Sequence, residues 1–185
     1  MTNYLSKPNK CPVAWEKIKL IIFDCDGVLT DGRIIYGDGR QDIKNFDATD
    51  GMGLMLLRHI DLPVAVVTGR TSEALALRCQ DLKIEHLYQG ISRKLECVNQ
   101  LLEELGLEME NIIYMGDDWN DIPCMRRAAF SVAPANAHED IQKQVDMVTK
   151  RSGGRGAVRE LIEYVLTKKG VHERAINSYL ESVTR

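Results

Sequence analysis

Two aspartates separated by a single residue, Asp24 and Asp26, follow directly on an apolar run that begins at Ile18. Such a run predicts a buried strand of a parallel sheet, and open α/β sheets bind ligands at the carboxyl ends of their strands. Gly27 then allows a sharp turn. Two carboxylates at this edge are costly unless a cation joins them, and their hard oxygens suit Mg²⁺. The pattern predicts a magnesium site; an Asp-rich turn is the simpler alternative.

Other polar residues stand where further predicted strands end. Thr68 follows the apolar run 63–67, and Lys94 lies near the start of a predicted helix. Three aspartates follow the run 111–115: Asp117, Asp118 and Asp121. Each of these residues alone is typical of a solvated surface. Because the carboxyl ends of parallel strands meet at one edge of a sheet, their recurrence after separate strands favours a single site.

The order of elements predicts the fold. Apolar runs at 18–23, 63–67, 86–88, 111–115, 130–132 and 146–148 alternate with helical patterns, which is typical of an α/β fold with a doubly wound parallel sheet. Residues 33–46 read as a β-hairpin that turns at Gly37-Asp38-Gly39. No linker or repeat divides the chain, so residues 1–185 are expected to form one domain. After Gly170 the pattern fades, which favours a tail that is mobile or docked on a partner.

Composition excludes several classes of protein. The net charge of −3, without a clustered Lys/Arg face, argues against a nucleic-acid binder, and no apolar run is long enough to span a membrane. Residues 1–17 lack the apolar segment of a secretory signal. Five scattered cysteines without a C-x-x-C pair favour reduced thiols and a cytoplasmic location over disulfides or zinc. Strand alternation turns Cys25 away from its neighbouring aspartates, into packing.

Carboxylates with magnesium, one hydroxyl and one fixed cation form a site for phosphoryl transfer. In such a site Asp24 would attack phosphorus, and Asp26 would protonate the leaving alkoxide and later deprotonate water. Magnesium would be shared by Asp24, the main-chain carbonyl of Asp26, and Asp117. The remaining two groups, Thr68 and Lys94, would hold phosphate oxygens.

Four motifs occur in a fixed order along the chain: Asp-x-Asp-Gly-Val, Thr-Gly-Arg, a downstream Lys and Gly-Asp-Asp-x-x-Asp. Together they resemble the motifs of the haloacid dehalogenase (HAD) phosphatases, and the likeness runs from Ile18 to Lys168. The resemblance implies the same fold, magnesium and catalytic roles. It further implies that Asp118 and Asp121 orient Lys94 or the metal shell.

Two alternatives use related residues. A receiver-type signalling domain also carries an acidic pair, a Thr and a Lys, but its phosphate-accepting Asp should end the third strand, where this chain has Tyr88-Gln89-Gly90. An inactive interaction domain of HAD descent is disfavoured because every catalytic position is occupied by the expected residue type.

The intervals between the motifs leave no room for the cap domain of many HAD phosphatases. The segments 46–51 and 153–160 resemble the small capless branch that acts on eight- and nine-carbon 2-keto-3-deoxy sugar acid phosphates. Arg70 and Arg155 stand where nine-carbon relatives tend to have Glu, which favours an eight-carbon substrate.

The resemblance and the substrate's carboxylate together suggest the substrate contacts. Guanidinium groups bind carboxylates bidentately, which favours Arg70 and Arg78, although an exposed helix charge is the alternative for Arg78. The full set of predicted contacts is Asp26, Asp47, Ala48, Thr49, Asp50, Gly51, Arg70, Arg78 and Lys94. The capless branch is known for homotetramers, which implies that hairpins 33–46 assemble the protomers and that Arg155 acts across an interface.

Overall fold

The computed structural model describes residues 12–38 and 42–184. Within these residues six parallel strands form one sheet in the order β5-β4-β1-β6-β7-β8. The strands are β1 Leu20–Phe23, β4 Val64–Val67, β5 His86–Tyr88, β6 Ile112–Met115, β7 Phe130–Ala133 and β8 Met147–Val148. The predicted doubly wound parallel sheet is confirmed.

Seven helices accompany the sheet in the described residues. They are α1 Ala48–Arg58, α2 Glu73–Asp81, α3 Lys94–Leu105, α4 Ile122–Met125, α5 Glu139–Gln142, α6 Ala157–Lys168 and α7 His172–Val183. Short 3-10 turns lie at Trp15–Lys17 and Met109–Asn111. Among the helices in the described ranges, none has the length and apolar character needed to cross a membrane.

Side chains of the central strand β1 alternate between two apolar layers. Ile21 and Phe23 face the layer that contains α1 and α6, whereas Leu20 and Ile22 face the layer that contains α3 and α4. A strand buried on both faces must be apolar at every position, which is why β1 reads as a continuous hydrophobic run. Cys25, just beyond it, is fully buried in the first layer, as predicted.

The buried stripe of α3 runs through Cys97, Val98, Leu101 and Leu102, and Leu105 lies at the exposed end of the helix. The tail is more regular than expected, because it forms α7, which extends to Val183 and packs against α1 and α6. In α7 Ala175 is buried, Ile176 and Tyr179 pack partly buried against the core, and Ser178 Oγ lies 3.0 Å from His59 Nδ1.

The hairpin forms a separate two-stranded antiparallel ribbon, β2 Ile35–Tyr36 with β3 Asp42–Ile43. These strands are shorter than the extended pieces predicted at 33–36 and 41–46, and the predicted turn falls partly outside the described residues. The ribbon exposes four large apolar side chains, those of Ile34, Ile35, Tyr36 and Ile43. Such a patch on a short ribbon is typical of a surface that binds another protein.

Candidate active site

The ends of β1 and β6 bring two acidic loops together. The register pairs Phe23 with Met115, and the Asp24 N–H donates to the Met115 carbonyl at 2.9 Å. Gly27 adopts a left-handed φ of 90°, and a Cβ there would lie 2.0 Å from Asp117 Oδ2. Only glycine fits both constraints, so the Gly in Asp-x-Asp-Gly lets Asp117 approach the Asp24 loop.

Lys94 is buried directly beneath the two loops at the first turn of α3. Its Nζ lies 2.8 Å from Asp24 Oδ1 and 2.7 Å from Asp121 Oδ1. Burial lowers the pKa of Lys94, but the carboxylates of Asp121 and Asp24 raise it above its ordinary value. The ammonium therefore stays charged and joins the two aspartates.

Asp121 organises the loop that follows β6. Its Oδ1 also accepts a hydrogen bond from Tyr114 Oη at 2.9 Å, and its Oδ2 accepts from the N–H groups of Asp117 and Asp118 at 3.2 and 3.3 Å. Asp118 is instead exposed, and its Oδ1 accepts from the Trp119 N–H at 2.7 Å. Of the two aspartates predicted to orient Lys94, Asp121 makes the contact.

Three carboxylates, those of Asp24, Asp117 and Asp121, place one oxygen each within 4.8 Å of one another. Asp117 Oδ1 is buried and has no hydrogen-bond partner among the described residues. Burial, followed by the charges of Asp24 and Asp121, raises the pKa of Asp117 to about 8, and burial and the charge of Asp121 raise that of Asp24 to about 7. Crowded, unsatisfied carboxylate oxygens are what a hard divalent cation would stabilise, so the site fits Mg²⁺.

A cleft of about 240 Å³ opens above this cluster. Its lining consists of Asp24, Asp26, Gly32, Thr68, Gly69, Arg70, Asp117, Asp118 and Asn120. The predicted catalytic residues from three strand ends therefore share one cavity, with Lys94 beneath it. A larger cavity of about 350 Å³ lies at the opposite edge of the sheet, beside Pro63 and His86, away from these carboxylates.

Lys44 is a site residue that the sequence analysis missed. It follows β3, its side chain is only 3% exposed, and its Nζ is hydrogen-bonded to Asp26 Oδ1. Burial lowers the pKa of Lys44, but the hydrogen bond to Asp26 and the neighbouring carboxylates raise it above its ordinary value. The signal in the sequence was the spacing of Asp42 and Lys44, two residues apart and thus on one side of a strand.

Asn136 was missed as well. Its Nδ2 donates to the Gly27 carbonyl at 3.0 Å, and its Oδ1 accepts from the Gly153 N–H at 2.6 Å. A Cβ on Gly153 would lie 1.8 Å from the Gly27 carbonyl oxygen. The glycine-rich segment before α6 therefore packs against the catalytic loop, while the Arg155 side chain is largely exposed and lies 3.8 Å from Asp31.

The predicted substrate segment from Asp47 to Gly51 does not line the cleft. It forms the first turn of α1, where Asp47 accepts from the Thr49 N–H at 2.6 Å and Ala48 is exposed. Asp50 is buried and accepts from the Gly156 and Arg159 N–H groups at 3.2 and 2.8 Å. The capping of α1 and α6 uses these carboxylates, so this placement does not support substrate contacts by Asp50.

Arg78 also lies outside the cleft. Its guanidinium sits over the Phe46 ring at 6.0 Å, and Nη2 lies 3.4 Å from the Asp47 carbonyl oxygen. A Cβ on Gly51 would meet the same Nη2 at 2.3 Å, so Arg78 covers Gly51 as well. The described protomer therefore gives Arg78 a packing role against the start of α1, and neither Arg78 nor Gly51 is brought to Asp24.

Comparison with known proteins matches this arrangement. A family model for haloacid dehalogenase-like hydrolases matches residues 83–162. The 3-deoxy-D-manno-octulosonate 8-phosphate phosphatase KdsC of Escherichia coli K12 is 43% identical over 160 residues, which cover 86% of this chain and 85% of the relative. This chain belongs to the haloacid dehalogenase-like hydrolases.

Solved structures of similar hydrolases share the fold. The 3-deoxy-D-manno-octulosonate 8-phosphate phosphatase of Yersinia pestis has a TM-score of 0.83 and 40% identity, and the match covers 86% of each chain. The enzyme of the same name from Moraxella catarrhalis, in complex with magnesium ion, phosphate ion and a KDO molecule, has a TM-score of 0.85 and 35% identity. That match covers 89% of this hydrolase and 95% of the other chain.

The contact between Gly27 and Asp117 predicts a specific loss of metal binding. In Gly27→Ala the added methyl group must displace Asp117, so we expect affinity for Mg²⁺ to fall about 10- to 100-fold, as for other residues that orient metal ligands. Gly106→Ala is the matched control, since Gly106 also has a positive φ but no heavy atom lies within 4 Å of the position that its Cβ would take. Isothermal titration calorimetry with Mg²⁺ measures the affinity of both variants. Equal affinities would contradict the assignment of Asp117 as a metal ligand that Gly27 allows into place.

The raised carboxylate pKa values predict how stability depends on pH. The unfolded Asp117 releases its proton near pH 3.8 and the folded one near pH 8. Between these values the folded state binds more protons, so the free energy of unfolding of the metal-free protein should decrease as pH rises from 5 to 8. Mg²⁺ replaces those protons, and its stabilising effect should grow over the same range.

Urea denaturation in EDTA and in Mg²⁺ across this pH range measures both effects. Asp117→Asn serves as the control and should flatten the slope in EDTA. A stabilisation by Mg²⁺ that does not change with pH would show that the ion binds elsewhere.

Proposed function

We propose that this protein is a magnesium-dependent phosphatase that hydrolyses 3-deoxy-D-manno-octulosonate 8-phosphate (KDO 8-phosphate) to KDO and phosphate. The observation that carries the proposal is the buried cluster of Asp24, Lys94 and Asp117 beneath an open cleft, in a chain 43% identical to an enzyme of that name. The reaction would serve lipopolysaccharide biosynthesis in the cytoplasm. A nine-carbon 2-keto-3-deoxy sugar acid 9-phosphate is the competing substrate.

The first half of the reaction transfers the phosphoryl group to the protein. An Asp24 oxygen attacks phosphorus, the bond from phosphorus to the sugar oxygen breaks, and Asp26 donates its proton to that oxygen. Thr68 and Lys94 hold the phosphoryl oxygens, and Lys94 also neutralises Asp24. A magnesium ion held by Asp24, Asp117 and the Asp26 carbonyl would supply further neutralisation of charge on these oxygens.

The second half regenerates the carboxylate. Asp26, now ionised, takes a proton from a water molecule whose oxygen attacks the phosphorus of the aspartyl phosphate. The bond from phosphorus to Asp24 breaks, phosphate leaves and Asp26 is again protonated. One carboxyl group thus acts first as acid and then as base, which requires it to lie beside the cleft, as Asp26 does.

Asp24→Asn tests the proposed nucleophile. The amide is a poor nucleophile and a weaker metal ligand, so release of phosphate from KDO 8-phosphate should fall about 10³-fold or more. EDTA should abolish the activity of the unaltered protein, and Mg²⁺ should restore it. Asp81→Asn, at an exposed aspartate that ends α2, is the matched control and should retain full activity. Substantial turnover by Asp24→Asn would contradict the mechanism.

Arg70 supports the choice of a sugar acid. It lines the cleft with 36% of its side chain exposed, and its contacts to Asp26 and Asp42 are beyond hydrogen-bond distance, so its guanidinium can donate to the carboxylate of a ligand. In Arg70→Glu a bound carboxylate would be repelled, so kcat/KM on KDO 8-phosphate should fall about 10- to 100-fold.

The control substrate for Arg70→Glu is p-nitrophenyl phosphate, which has no carboxylate. If Arg70 contributes binding energy only through the substrate carboxylate, kcat/KM on this control should change less than about threefold. Arg93→Glu, at an exposed arginine directly before α3, is the control variant. Equal losses on both substrates would show that Arg70 serves the phosphate or the fold instead.

We also propose that the protein is a homotetramer in which the hairpins join the protomers and wall each active site. Support comes from the exposed side chains of Ile34, Ile35, Tyr36 and Ile43 and from the unpaired edges of a two-stranded ribbon. In this arrangement Arg155 acts at the site of a neighbouring protomer, as its exposed side chain allows.

Light scattering tests the assembly. The unaltered protein should show a tetrameric mass, and Ile35→Lys combined with Ile43→Lys should lower it, because charges in an apolar interface lack partners. Leu77→Lys, at an exposed leucine on α2, is the control. A monomeric mass with full activity would contradict the proposal that assembly takes the place of a cap domain.

A further inference from the structure

Four charged side chains form a ring of alternating sign at the side of the cleft. Lys44 is hydrogen-bonded to Asp26 Oδ1, and Arg70 Nε lies 3.7 Å from Asp26 Oδ2. Asp42 completes the ring, with Oδ2 at 3.7 Å from Lys44 Nζ and Oδ1 at 3.8 Å from Arg70 Nη2. The ring joins the hairpin, which supplies Asp42 and Lys44, to the acid–base carboxylate of the catalytic loop.

The two cations of this ring do not hold Asp26 equally. The Lys44 side chain is 3% exposed and makes a hydrogen bond, whereas that of Arg70 is 36% exposed and lies beyond hydrogen-bond distance from both carboxylates. Arg70 Nη2 also lies 3.4 Å from Tyr36 Oη, so the position of Arg70 is held by several weak contacts. Lys44 is therefore the cation that fixes the orientation of Asp26.

Orientation matters because Asp26 must pass a proton to one particular oxygen. Within the described residues Asp26 has two cationic partners, Lys44 and Arg70, and misplacement of its carboxylate by about 1 Å can cost about 10²-fold in rate. Burying an ammonium is unfavourable unless it is paired, so the burial of Lys44 is explained by its two carboxylate partners.

We propose that Lys44 is a positioning residue that holds Asp26 in place for proton transfer to the leaving oxygen, and that Asp42 holds Lys44 in turn. The inference rests on the proposed phosphatase function. It predicts a dependence on the leaving group. A sugar alkoxide needs the proton as its bond to phosphorus breaks, whereas p-nitrophenolate leaves readily without one.

The test measures leaving-group release in single turnovers, with Mg²⁺ present and enzyme in excess over substrate. Lys44→Met keeps the aliphatic stem and removes the charge; KDO release should slow about 10²-fold and p-nitrophenolate release less than about threefold, with little change in substrate affinity. Lys44→Arg retains the charge and should recover part of the KDO rate. Lys143→Met, at an exposed lysine paired with Glu139, is the matched control and should behave as the unaltered protein.

A double-mutant cycle separates positioning from other roles. If Lys44 acts only through Asp26, the double variant Asp26→Asn with Lys44→Met should release KDO no more slowly than Asp26→Asn alone. An additional loss in the double variant, or equal losses on the two substrates, would overturn the inference.

Two further outcomes are also informative. If Lys44→Met does not fold, as judged by circular dichroism, Asp42→Asn replaces it in the test. This variant should slow KDO release more than p-nitrophenolate release, by a smaller factor than is expected for Lys44→Met. An unchanged rate of KDO release would overturn the inference. If the unaltered protein hydrolyses another sugar phosphate but not KDO 8-phosphate, the proposed substrate is wrong, and the same rate comparison on that sugar phosphate still decides the role of Lys44.

Discussion

The ion pairs of the buried Lys94 ammonium with Asp24 and Asp121 are the interaction on which the site depends. Without this cation, three aspartates would crowd one buried edge of the sheet, and their mutual repulsion would oppose folding. Placing Lys94 at the start of α3 is itself unfavourable, because a helix N-terminus carries partial positive charge. The two short ion pairs offset that cost, and they tie α3 to loops after β1 and β6. Removing one partner of such a buried pair typically costs about 3–5 kcal/mol.

Asp121 extends this constraint through the loop after β6. Its second oxygen holds the N–H groups of Asp117 and Asp118, and a Cβ on Gly116 would lie only 2.4 Å from the Asp121 side chain. The carboxylate that neutralises Lys94 therefore also shapes the loop that aims Asp117. Charge balance and loop geometry are satisfied by the same side chain, which explains why an acidic residue four positions after Asp117 belongs to the motif.

The sequence predicted the parts of the site that local pattern controls. Asp24, Thr68 and Asp117 each follow an apolar run, and parallel strands bring their carboxyl ends to one edge, so the convergence follows from the fold class. Lys44 and Asn136 could not be found in this way. Their roles depend on contacts between separate segments of the chain, and a lysine beside a short strand or an asparagine in a loop is ordinarily solvated.

The segment from Asp47 to Gly51 shows the opposite case. Its polar residues matched a substrate loop, but an Asp followed by a helix is equally the pattern of an N-cap, and Asp47 caps α1 in that way. Asp50 lies inside α1 and accepts from N–H groups at the start of α6. The helix α7 escaped prediction because its apolar contacts are few, with Ala175 buried and Ile176 and Tyr179 only partly buried against the core. In both cases the sequence shows which groups are present, whereas tertiary packing decides which partner each group takes.

The packing of Gly153 against Gly27 has a consequence for the order in which the protein is made. The catalytic loop leaves the ribosome before one of its walls, the segment that carries Asn136 and Gly153, which comes more than a hundred residues later. Likewise, both edges of the central strand β1 can be paired only after β6 has been synthesised. Domains form as their chain emerges, and contacts of such long separation form late. The acidic loop of the nascent chain is therefore synthesised long before it can be enclosed, and the metal-binding cluster is completed only after Asp121 has been made.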